Sequence, residues 1–276
     1  MPARALALTA LLACSACVDL VSARFDGRYV ERDEKRFQTS GKPEVTLGTF
    51  DGSIEIRPWD KAEVEVVVEK RGADKESIAD LQIEATQSGD RISVEVKNPH
   101  RRTGIHLGPS PSAKLIVSLP ASSDVTARSG DGSIDVERLS GRIELRSGDG
   151  SIRARDLAGD ITIQTGDGSI ALDGKFSAVH ARSGDRSVRI HAAAGTTAGA
   201  DWDISTGDGS VTLEIPDGFN AELDAHTGDG GVHVEDLTVS NVTGEIRRNS
   251  IRGRLGSGGH EVRVRTGDGS ITVRRS

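Results

Sequence analysis

The sequence is poor in aromatic residues: they make up 3% of 276, with one Tyr (Tyr29), two Trp (Trp59, Trp202) and five Phe. That scarcity argues against a core built on large rings. It also argues against the row of aromatic platforms on which polysaccharide-active β-helices seat sugars. Cysteine is almost absent too. The only two, Cys14 and Cys17, stand near the start, so no disulfide framework exists, and no further Cys or nearby His completes a metal or redox site. No basic stripe of the kind that binds nucleic acid is present; the net charge is −7 and charges of both signs are interspersed. The seven His show no metal-ligand spacing. Glycine, by contrast, is abundant at 33 residues. With many Asp, Ser, Val and Ile, it suits short strands joined by tight turns.

The first residues, "MPARALALTALLACSACVDLVSA", carry one early cation, Arg4, then an apolar run from Ala5 to Ala13. That is an export signal, too short to span a bilayer as a stable helix. A Cys after small residues resembles a bacterial lipoprotein signal, with Cys17 and Cys14 as lipidation candidates; ordinary cleavage after Ala23 is the alternative. The expected organisation is a signal peptide over 1–23, a charged tether over 24–43 and a repeat domain over 44–276.

One phrase dominates that domain. It reads "SGDGSI" at Ser129 and Ser147, "TGDGSI" at Thr165, "SGDRSV" at Ser183, "TGDGSV" at Thr206, "TGDGGV" at Thr227 and "TGDGSI" at Thr266. Its aspartates, Asp131, Asp149, Asp167, Asp185, Asp208, Asp229 and Asp268, are separated by 18, 18, 18, 23, 21 and 39 residues. The last interval is about two periods, with a worn copy "RRNSI" near its middle whose Asn249 stands at the second Gly position. "TFDGSIEI" around Asp51 and "SGDRISVEV" around Asp90 read as early copies. Between phrases apolar residues alternate: Ile143, Leu145, Ile152, Ala154, Leu157, Ile161, Ile163 and Ile170 point one way, and Glu144, Arg146, Arg153, Arg155, Thr162 and Gln164 the other. A period of two means strands with one buried face. One 18-residue unit cannot bury that face alone, so the units must stack. The expected fold is all-β, a β-solenoid of ~18-residue rungs with handedness undetermined, irregular over 44–120 and regular over 121–276. "NPHRRTGIHLGPSP" (Asn98–Pro111) reads as an exposed loop.

The "G-x-I-x-I" strand, the "IVSLP" segment and the recurring "[ST]-G-D-G-S-[IV]" phrase resemble the bacterial family of adhesin-like β-strand repeats, domain-of-unknown-function family 4097, over about Glu44 to Arg275. The resemblance implies a β-solenoid in an exported or membrane-tethered protein. It supplies no catalytic residues.

As a site, the phrase has two readings. In the first it is a structural turn built of Gly130, Asp131, Gly132; Gly148, Asp149, Gly150; Gly166, Asp167, Gly168; Gly207, Asp208, Gly209; and Gly267, Asp268, Gly269. The glycines would take left-handed backbone and each Asp would cap its own turn. Carboxylates stacked ~4.8 Å apart repel by about 1 kcal/mol in water, an offset that Arg128, Arg146, Arg182 and Arg265 would supply. In the second, Asp131, Asp149, Asp167, Asp185 and Asp208 bind calcium between rungs. The opening Ser and Thr residues would form a hydroxyl ladder. No P-loop is completed, the acids do not converge as in a hydrolase, and no cofactor or small-molecule substrate is implied. The expected role is a non-enzymatic envelope protein that binds or scaffolds an envelope or surface partner, with a polysaccharide-active β-helix as the remaining alternative.

Overall fold

The computed structural model describes residues 21–25, 28–99, 110–242 and 249–276. Cys14, Cys17 and most of the Asn98–Pro111 loop lie outside them. The described chain is all-β apart from one helical turn, Lys75–Ala79. Among the described residues no helix is long and apolar enough to cross a membrane.

The alternation expected of the strands is the burial pattern observed. Ile143, Leu145, Ile152, Ala154, Leu157, Ile161, Ile163 and Ile170 are all buried in one core of Val, Ile, Leu and Ala. Each rung is two strands flanking a Gly-Asp-Gly corner, and rungs pair in parallel. Ile134 pairs with Ile152 and Ile143 with Ile161, both 18 residues on. Where the interval grows to 23, His180 pairs with Asp203. There Trp202 is fully buried between Phe176 and Phe219, with ring centroids 6.1 and 5.3 Å away.

Spatial order departs from sequence order at both ends. The rung of Asp51 (Glu44–Thr49 and Ile54–Trp59) stacks directly on that of Asp131, with Thr49 opposite Ser129. The chain between them forms a cap. Ser112–Pro120 pairs with Ile54–Trp59, Glu63–Gly72 with Ser112–Pro120, and Arg28–Gln38 with Glu63–Gly72. At the other end the rung of Asp268 lies between those of Asp208 and Asp229: Ile204 pairs with Val264, and Val264 with Ala225. The 39-residue interval is therefore no pair of successive turns.

Four sequence expectations are corrected here. The charged stretch expected as a tether over 24–43 holds the strand Arg28–Gln38, because its charges meet opposite charges on the next strand, Arg32 with Glu69 and Arg36 with Glu65. The phrase around Asp90 is not a corner but a two-residue hairpin turn between Gln82–Ser88 and Arg91–Lys97, with Gly89 at φ 61°. The worn copy at Asn249 opens no further rung of the stack; it leads into Ser250–Leu255, an antiparallel strand that caps the Asp229 rung.

The fourth concerns the corner glycines. None of those named in the five triplets has left-handed backbone; that conformation occurs at the second, looser turn, in Arg138, Asp156 (both φ 53°) and Gly159 (φ 113°). At the corners the requirement is space. A Cβ on Gly150 would stand 2.2 Å from the Gly132 carbonyl oxygen, and one on Gly168 2.1 Å from that of Gly150. Arg186, at the same position in the Asp185 corner, is the exception and projects into solvent.

Gly150→Ala should therefore cost about 2–3 kcal/mol by overpacking. At Gly218, which has open space and φ 76°, alanine should cost about 1 kcal/mol from backbone strain alone. Urea unfolding separates the two; equal losses would rule out inter-rung contact as the cause.

Candidate binding surface

The corners align into one ridge. Behind it the opening hydroxyl of each phrase is buried. In five corners it accepts the amide N–H three residues on, at 3.0 Å for Ser129–Gly132 and Ser147–Gly150, 3.2 Å for Thr165–Gly168 and 3.3 Å for Ser183–Arg186 and Thr266–Gly269. It donates to a carbonyl of the preceding rung. The distances are 2.8 Å for Ser129 to Gly52 and Ser147 to Gly132, and 2.9 Å for Thr165 to Gly150. They are 2.7 Å for Ser183 to Gly168, Thr206 to Arg186, Thr266 to Gly209 and Thr227 to Gly269. A hydroxyl is suited to this because it both accepts and donates.

The turn is thus capped by Ser or Thr, not by Asp as the sequence suggested. The side chains of Asp131, Asp149, Asp167, Asp185, Asp208, Asp268 and Asp229 point into solvent, and none of their carboxylates makes a hydrogen bond or ion pair with the described residues. The arginines expected to screen them turn the other way. Arg128 and Arg146 both bind Glu144, Arg182 donates to Ser205, and Arg265 binds Asp224. Short side chains in high dielectric leave the aspartates a small repulsion that water and salt can screen. Among the described residues no three His, Cys, Asp or Glu side chains gather as a metal-ligand group. The five aspartates named for calcium stand in single file, one per rung.

Two features escaped the sequence reading. On the face after the corner, acidic and basic residues alternate from rung to rung, Glu137, Arg155, Asp173, His191, Glu214, Arg274 and Glu235, in register except for a shift between Arg155 and Asp173. Arg155 binds Glu137, His191 binds Asp173, and Arg274 binds Glu214. The signal was available at one fixed position of every unit, read down the stack in spatial order.

The second feature is a buried carboxylate at each end, held by two arginines. Glu69 meets Arg32 at 2.7 Å and Arg71 at 2.5 Å; Asp224 meets Arg252 at 2.6 Å and Arg265 at 2.7 Å. Burial pushes both carboxyls up, but the arginine hydrogen bonds and charges outweigh it and hold both below their ordinary range.

The sequence matches the family described as Toastrack DUF4097 over residues 44–197 and 162–274. Among solved structures it resembles a candidate cell adhesion protein from Clostridium sporogenes, at 12% identity over 90% of this chain and 100% of that one, TM-score 0.41. It also resembles a candidate adhesin from Bacteroides fragilis, at 11% identity over 88% and 96%, TM-score 0.44. A candidate lipid binding protein from Parabacteroides distasonis aligns at 14% identity over 88% and 96%, TM-score 0.30. No curated protein matches the chain.

Asp149→Asn should change stability by less than about 0.5 kcal/mol. Ser147→Ala, which removes two buried hydrogen bonds, should cost about 1–3 kcal/mol; chemical denaturation of both variants checks this. Acid should act through the clamped pair. Their folded pKa values are depressed, so the stability they add is complete above the unfolded carboxylate pKa of about 4 and is lost as the pH falls through the folded values. Melting temperature should hold from neutral pH down to about 5 and fall below about 4. Glu69→Gln with Asp224→Asn should flatten that fall, and an equally steep fall in the double variant would refute the assignment.

Proposed function

The chain belongs to the Toastrack DUF4097 family, and from that premise we propose that it is a non-enzymatic, exported binding or scaffold protein of the cell envelope. Its anchor in this reading is a lipid on Cys17 or Cys14, and its partner is a surface or polymer of the envelope. The observation that carries the reading is repetition: the same corner recurs in eight stacked rungs, and the outward polar positions form rows along them. Catalysis needs one place where an acid, a base and a substrate cradle converge. Rows instead suit an extended partner met by many weak contacts, each adding little and together holding it.

Two measurements test this. Incubation with a panel of envelope and plant polysaccharides should yield no new reducing ends, and turnover abolished by a single Asp→Asn change would overturn the non-enzymatic reading. Radiolabelled palmitate should enter the wild type and be lost in Cys17→Ala or Cys14→Ala; no incorporation in any of the three would remove the lipid anchor.

A further inference from the structure

The rung of Asp268 occupies an unusual place. It follows the Asp229 rung in sequence, as Glu261–Thr266 and Ile271–Arg275, yet it precedes that rung in the stack. It is paired on both sides along both strands. Trp202–Thr206 and Val211–Ile215 lie on one side, Glu222–Thr227 and Val232–Glu235 on the other. Val262, Val264, Ile271 and Val273 are fully buried in the slot. Without this rung, two facing strand edges and their apolar residues would meet water, so an empty slot is strongly unfavourable.

What joins the rung to the rest is slight. The connection is residues 256–260, Gly-Ser-Gly-Gly-His, with Gly256, Gly258 and Gly259 at φ 58°, 83° and 147°.

We infer that the C-terminal rung is exchangeable between copies: the slot between the Asp208 and Asp229 rungs accepts the Glu261–Arg275 segment of a second copy of this chain. Every pairing lost in one molecule is remade in the other, including Arg265 with Asp224 and Arg274 with Glu214. Only the hinge and the entropy of association distinguish the exchanged pair from two monomers. Chain concentration during folding therefore selects between them. An exchange of this kind would join envelope-bound copies without any new surface.

The test uses two forms of the full chain, each with Cys14 and Cys17 replaced by Ser. One carries Thr212→Cys and the other Thr272→Cys, positions paired directly in the stack. Strands ~4.8 Å apart lie within the Cα separation that a disulfide spans. The two forms are unfolded, mixed, refolded over a range of concentrations and oxidised. Exchange predicts a covalent heterodimer whose share rises with concentration and exceeds several-fold that of a Thr162→Cys and Thr272→Cys mixture, whose cysteines meet only by collision. Yields equal to that control at every concentration would overturn the proposal. Deleting Gly258 and Gly259 shortens the hinge and should raise the dimer share seen by light scattering; a folded deletion variant that stays monomeric throughout would count equally against it.

Discussion

The spacing of hydrogen-bonded strands fixes everything at the corner. Rungs that pair in parallel cannot sit farther apart than a backbone hydrogen bond allows. Where the chain turns, that spacing drives one carbonyl into the place where the next rung would carry a Cβ. Glycine at Gly132, Gly150 and Gly168 answers that demand, and the hydroxyls of Ser129, Ser147 and Thr165 answer another. They satisfy a carbonyl below and an amide in their own turn, at positions largely shielded from water. Ile or Val after the turn then re-enters the core. The six-residue phrase is a consequence of stacking geometry, and the aspartate at its tip is its one unconstrained position.

Strand alternation was legible in the sequence because burial on one face leaves a period of two, and the buried residues named from it lie in the core. The corner was legible as a corner, but its cause was not. Glycine required by a left-handed backbone and glycine required by a neighbouring carbonyl look the same in one dimension; only the stacked rung tells Gly150 from Gly218. Rung order at the C-terminal end was illegible for a related reason. An interval of 39 residues fits two successive rungs as well as a cap followed by a return, and no local residue separates them. The strand Arg28–Gln38 was hidden by its charges, which read as solvated until Glu63–Gly72 is laid beside them.

The electrostatics divide along the same lines. Midway along the stack, charges are exposed and pair across rungs at modest gain. At the two ends, where a rung lacks one neighbour and another strand must close it, a carboxylate is buried between two arginines. Glu69 ties two strands of the N-terminal cap, Arg28–Gln38 and its own; Asp224 ties its rung to the capping strand and to the rung of Asp268. Buried charges of this kind hold geometry strictly, because any slip leaves an ion without a partner. The faces between are left free to differ in residue while keeping one spacing.

The place of the Asp268 rung also sets it apart from a unit of an ordinary repeat array. There, loss of an outer unit leaves a shorter array of the same kind. Here the Glu261–Arg275 unit is held inside, so its displacement leaves not a shorter stack but a split one, with unpaired strand edges on both sides of the gap. A molecule that lost it would show aggregation-prone surface of the kind that proteases and chaperones recognise.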